Sequence, residues 1–304
     1  MREADGSRTT TPTDREPGDV PAADHDGVLV PVDGDPARAL FSIACDIVAD
    51  RGGDLTLAAP VVVRRQTPLD DDGLHERGND LLAKALPKVL GACPSETAVH
   101  QRVRTAHSRK SALGAIVGSD ASISTVLADR STSTDRRPFT EYSVFGSLPL
   151  DSHVHSIVAG GLDGLGTIDT IPVPVGRGPH SECAIGVAGS LARRNDSRVT
   201  LFHVRADDGR RSRRESERLM AAARSVLDDS VATETSVVAA DEVGETIVHQ
   251  SEGFDITILG APREGVLRQF VSGSIPDHVF ERSPGAVVAV YKRGSDRSWI
   301  DRTI

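Results

Sequence analysis

The chain has 304 residues, comfortable for two compact α/β units and long for one. Its formal net charge is −9; such a field repels nucleic acid and anionic membrane surfaces and argues against both as partners. Hydrophobic residues make up 38% and aromatics 3%, so the cores must be built from Val, Ile, Leu and Ala. No apolar run reaches membrane-spanning length and the N-terminus has no signal-peptide apolar stretch, so the expected location is the cytoplasm, without direct membrane insertion.

Residues 1–26, rich in Thr, Pro, Asp and Gly without periodicity, read as a disordered arm. Short β-branched runs then alternate with helical patterns. Val28–Val32 reads as a strand, and Pro36 opens a helix that puts Leu40, Phe41, Ala44, Ile47 and Val48 on one face. Leu55–Val63 is a strand, Leu74–Leu90 a helix, Thr97–Val103 a strand, Lys110–Val117 a helix and Ile123–Ala128 a strand. Asp129–Tyr142 is a polar loop, followed by Gly146-Ser147, a short helix and a strand at Ser156–Ala159.

The order then repeats. Strands are expected at Thr170–Val175, Arg198–Val204, Ser236–Ala239, Asp255–Leu259 and Ala286–Tyr291. Helices are expected at Pro179–Arg193, Arg211–Leu227, Glu242–Gln250 and Ile275–Glu281. Val30–Pro36 (VPVDGDP) aligns without a gap on Val173–Pro179 (VPVGRGP), and Gly146–Pro149 (GSLP) echoes Gly273–Pro276 (GSIP). The pattern predicts two tandem doubly wound α/β domains, 27–160 and 170–293, each with a parallel sheet and helices on both faces. A linker at 161–169 joins them, and 294–304 is a tail.

Two compositional features bear on the environment. Only four lysines occur, leaving 31 of 35 basic residues as Arg, alongside many Asp and Thr. This resembles salt-adapted (halophilic) proteins, although a GC-rich genome also favours Arg codons. Cys45, Cys93 and Cys183 form no CxxC pair, and their odd number argues against a disulfide framework. Cys45 and Cys183 fall in helical apolar patterns and read as small buried residues.

The segment Asp255–Gly265 (DITILGAPREG) runs a strand into a glycine turn, and Gly273-Ser274 opens the last helix. With the Val-Pro-Val strand ends and the five-fold strand–helix alternation, the chain resembles a tandem universal stress protein over roughly residues 27–293. The resemblance implies a five-stranded sheet per domain in the order 3-2-1-4-5, the adenine nucleotide alpha hydrolase-like fold. It also implies pairing of last strands, here Ala286–Tyr291 with Ser156–Ala159 as an internal pseudo-dimer, or with a second chain. The Gly260–Gly265 loop resembles those of stress-protein domains found with or near membrane transporters, which makes a transporter a candidate partner.

In nucleotide-binding members the loop reads glycine, two residues, glycine, nine residues, glycine, then serine or threonine. Bare backbone at such a loop approaches phosphate oxygens, and the helix dipole holds the anion. Gly260, Gly273 and Ser274 match the first, third and hydroxyl positions; Arg263 stands at the second, with Gly265 two residues on. Arg263 either supplies a guanidinium to phosphate or fills the cradle behind Pro262. Alternatively the loop is only a turn, with Ser274 as an N-cap. In the first half Asp33 matches the family's acidic residue beside the adenine pocket, and Gly146 and Ser147 match the end of the loop. Gly176 stands where Asp33 does in the first half, and His180 at a helix start is a further anion candidate. No catalytic or metal constellation has a credible spacing; His153 and His155 share a strand face without a third ligand. Two readings follow. One is a regulatory stress-response protein acting through protein contacts with a degenerate nucleotide site. The other is a switch that binds ATP or another adenine nucleotide, with Mg²⁺, at the second-half loop, with slow hydrolysis at most.

Overall fold

The computed structural model describes residues 26–69, 72–130, 154–205, 209–261 and 275–292. The first half contains β1 (Gly27–Pro31), α1 (Arg38–Arg51), β2 (Leu55–Val62), α2 (Asp72–Leu90), β3 (Val99–Ala106), α3 (Arg109–Ser119), β4 (Ile123–Asp129) and β5 (His155–Gly160). The second contains β6 (Thr170–Pro174), α4 (Pro179–Asn195), β7 (Arg198–Arg205), α5 (Arg210–Arg224), β8 (Thr233–Ala239), α6 (Val243–Gln250), β9 (Ile256–Gly260), α7 (Ile275–Arg282) and β10 (Ala286–Tyr291). No described helix is long and apolar enough to cross a membrane.

Two strands extend three residues beyond the sequence reading, for one reason. β3 runs on to Ala106 and β8 starts at Thr233, because ladder bonds to the inner strand continue through polar residues that break the apolar pattern. Pro36 precedes α1 by two residues rather than opening it, whereas Pro179 sits at the first position of α4.

Seven strands form one sheet in the order β3-β2-β1-β4-β5-β10-β9, and β6-β7-β8 form a second. The first half is thus a parallel sheet in the order 3-2-1-4-5. β10 pairs antiparallel with β5, from Val287 opposite Gly160 to Tyr291 opposite Ser156, joining the halves through the expected last strand.

The second half keeps the same spatial order, but the ladder is interrupted between β6 and β9, which lie side by side. Val175 donates to the Phe202 carbonyl on the β7 side, so alternation turns the backbone of Thr170, Pro172 and Pro174 toward β9. Two of those three positions have no N–H to give. In the first half Leu29 stands at the place of Pro172, and β1 pairs with β4 over Gly27–Leu29. Proline at that one aligned position accounts for the broken ladder.

Asp255 repairs the seam at its start. Its Oδ2 accepts from the Asp169 N–H, the Thr170 N–H and the Thr170 hydroxyl, each at 2.9 Å. Burial raises the carboxyl pKa, but these hydrogen bonds outweigh it and leave the group below the usual carboxylate range. Asp255→Ala is expected to lower stability by about 2 kcal/mol at pH 7 in urea denaturation. A depressed folded pKa means the contribution is full above the unfolded value and is lost as pH falls through the folded one. The gap between wild type and variant should therefore close below pH 3.8.

One apolar cluster spans both halves, with Leu40, Phe41 and Ile47 of α1 meeting Ala184, Ala188 and Leu191 of α4, over Ile157 and Val288 of the paired strands. Polar ties close its rim. Arg193 grips Asp50 in a bidentate pair at 2.6 and 2.7 Å and reaches Asp228 at 2.8 Å, while Asn195 donates to Asp46 at 2.8 Å.

The expectation of no disulfide does not hold. Cys45 of α1 bonds to Cys93, just beyond α2, with a Cα–Cα distance of 5.0 Å. Cys183 is the free thiol, partly exposed as a residue, and burial of its sulfur raises its pKa.

Candidate functional site

The C-terminal ends of β6, β7 and β9 converge with the start of α4 and with α6 around a cavity of about 260 Å³. In an open α/β sheet this is where the strand order reverses and a crevice forms. Its walls are mostly apolar, including Val175, Val243, Ile247 and Leu259, with His180, Ser181 and His203 as polar members.

Each polar group is fixed by a specific partner. Ser181 Oγ accepts the Gly176 N–H at 2.9 Å, which closes the turn between β6 and α4. His203 Nδ1 lies 2.8 Å from the Val175 carbonyl and must donate to it. In the neutral ring Nε2 is then an acceptor. His180 Nδ1 accepts the Lys292 N–H at 3.0 Å, so its proton sits on Nε2, and its ring stacks on Tyr291 at 4.9 Å between centroids.

Gly260 is required by packing before any ligand is considered. A Cβ there would come within 2.7 Å of the His180 carbonyl carbon and 2.8 Å of the Ser181 nitrogen. The bare backbone lets the end of β9 touch the first turn of α4. Of the anticipated site, the structure brings Gly260 and His180 together and places Asp33 in the other half. Arg263, Gly265, Gly273, Ser274, Gly146 and Ser147 lie outside the described residues.

The corresponding place in the first half is built differently. Asp33 aligns with Gly176, and Arg109, the first residue of α3, corresponds to Val243, the first residue of α6. Arg109 Nε sits 3.0 Å from Asp33 Oδ2, with the two side chains only 17% and 22% exposed. The approach is electrostatic, without hydrogen-bond alignment: Asp33 Oδ1 and Arg109 Nε and Nη2 have no hydrogen-bond partner among the described residues. Burial lowers the guanidinium pKa, and the nearby Asp33 charge offsets only part of that. An ion pair thus stands where the second half has a glycine and a valine on a cavity wall.

Sequence reasoning missed His203, Val243 and Arg109. Arg109 carried a signal, since a cation in the first turn of a helix opposes the dipole and calls for a partner. His203 interrupts an otherwise apolar strand near its C-terminal end, which is where such sheets place ligands.

The family model described as "Universal stress protein family" matches residues 167–291. Residues 167–291 form a universal stress protein domain. The fold of such proteins extends over both halves. A universal stress protein structure from Archaeoglobus fulgidus DSM 4304 superposes with a TM-score of 0.59 at 15% identity, covering 90% of this chain and 98% of that one. A protein of unknown function from Pseudomonas aeruginosa PAO1 is similar with a TM-score of 0.50 at 12% identity, over 88% of this chain and 93% of that one. No curated protein matches the chain in sequence. The universal stress protein domain matched here contains the open cavity, and the ion pair lies outside the match.

Proposed function

We propose that the chain is a stress-response regulator acting by binding, with one working ligand site in the second half and a first half that serves as scaffold. The ligand is an adenine nucleotide. The observation that carries this is the apolar cavity beside Gly260, lined by His203, whose Nδ1 is engaged by the Val175 carbonyl and whose Nε2 is thereby left as the acceptor in the neutral ring. A planar heterocycle fits such walls, and its exocyclic amine can donate to His203. Gly260 begins the loop toward which the phosphates would extend, with Arg263, Gly265, Gly273 and Ser274 as their proposed contacts. No carboxylate is among the described residues lining the cavity, so any Mg²⁺ would ride on the phosphates, and binding without turnover is the expected behaviour.

The ligand-free reading, in which the protein works through protein contacts alone, is favoured by one observation: the first half holds an ion pair at this place. The readings separate in a thermal-shift titration with ATP, ADP, AMP and adenosine, with and without Mg²⁺, at low and high salt. The nucleotide reading expects stabilisation approaching about 2.7 kcal/mol at a hundred times the Kd. It also expects binding to weaken about tenfold in His203→Phe, which loses the acceptor. No stabilisation by any of the four at millimolar concentration would leave protein contact as the function, with a membrane transporter among the candidate partners.

A further inference from the structure

The two outer edges of the fold are built unlike each other. β3 ends the larger sheet and places Arg102 and Arg104 along its exposed length, the usual protection against strand addition. β8 ends the smaller sheet with Thr235, Ser236 and Val237 all exposed and no proline or cation within the strand. Ala240 donates to Arg205 on the inner side, and the Ala232 carbonyl accepts from Val199 there. Alternation then points the backbone N–H and C=O of Thr235 and Val237 outward, at the free edge.

α5 overhangs this edge. Glu217, Ala221 and Arg224 line a groove with Thr235, Ser236 and Val237. At helical spacing Arg210, Arg213 and Arg214 continue that stripe toward the start of α5. The three have no ion-pair partner among the described residues, whereas Arg211 is held by Glu215 at 3.0 Å. On a chain of net charge −9, three arginines on one face with no ion-pair partner among the described residues call for an anionic occupant.

We propose that the groove between α5 and the free edge of β8 docks an extended acidic peptide segment of a partner protein, added as a further strand. Outward backbone groups supply main-chain hydrogen bonds, and the arginine stripe selects acidic side chains on the overhung face. A second copy fits poorly. Two β8 strands paired about a twofold axis would bring both arginine stripes together on the same sheet face, like charge against like.

The test uses the full chain and a fluorescein-labelled peptide of alternating Val and Glu, about eight residues long, read by fluorescence anisotropy at low salt. Binding is expected. It should weaken at least about tenfold in Arg213→Glu/Arg214→Glu, and with added salt. Val237→Pro should abolish it, since proline removes an outward donor while the ladder to β7 is untouched. If that variant unfolds, the same peptide N-methylated at alternate amides makes the equivalent cut on the ligand side and should not bind. A Val-Lys peptide should not bind either. Equal binding by the arginine double variant, or by the N-methylated peptide, would overturn the proposal. So would a concentration-dependent dimer in sedimentation that Val237→Pro abolishes, because the edge would then belong to a second copy.

Discussion

Arg109→Val is expected to destabilise the chain by about 3 kcal/mol at neutral pH, because it leaves the Asp33 carboxylate in a mostly enclosed place without its counter-charge. Adding Asp33→Gly should restore most of that loss, since replacing both members of a buried pair by apolar groups is often neutral or better. The double variant copies the second half's own residues at these positions, Gly176 and Val243. Chemical denaturation of the single and double variants makes the comparison, and the two costs should be strongly non-additive. Equal destabilisation by the single and the double variant would mean that the pair matters through shape rather than charge.

The second large effect is covalent. Cys45 and Cys93 are 48 residues apart, and closing a loop of that length in the unfolded chain corresponds to about 4 kcal/mol of stability in the chain-entropy account. Cys93→Ala, at a partly exposed position, should lower the denaturation free energy by that order. Dithiothreitol should do the same to the wild type and nothing to the variant. Thiol titration of the denatured, unreduced wild type should give one free sulfhydryl, from Cys183. A titre of three free thiols in protein taken directly from its host compartment would show that compartment to be reducing, in keeping with the cytoplasmic expectation.

Most of the architecture was legible because it rests on local chemistry. Alternating β-branched runs and helical faces fixed the element types, and the gap-free match of Val30–Pro36 to Val173–Pro179 revealed the duplication. The pairing of β10 with β5 was expected from the family resemblance and is present. What escaped was set by distance in sequence. The bond between Cys45 and Cys93 depends on α1 and α2 packing side by side, which no spacing rule encodes. The interruption between β6 and β9 was written in Pro172, but its meaning needed to know which neighbour that residue's backbone faces. At the site, Asp33 was noticed and Arg109 was not, because the pair joins the end of the first strand to the start of α3. Gly260 was read as a phosphate glycine, and the fold supplies an independent reason for it in the contact with His180 and Ser181.

We hold that Gly176 and Val243 keep the second-half cavity open to a ligand, where the first half carries the Asp33–Arg109 pair. Isothermal titration calorimetry with ATP tests it most directly, on the wild type, on Gly176→Asp/Val243→Arg and on Asp33→Gly/Arg109→Val. A Cβ at Gly176 meets nothing closer than Ser181 Oγ at 3.6 Å, so the backbone there accepts a side chain, and circular dichroism checks that the first of these variants is folded. The predicted result is one site per chain in the wild type and none when the ion pair is moved into the second half. Unchanged binding in Gly176→Asp/Val243→Arg, or wild-type binding abolished by Asp33→Gly/Arg109→Val in a folded protein, would contradict the account.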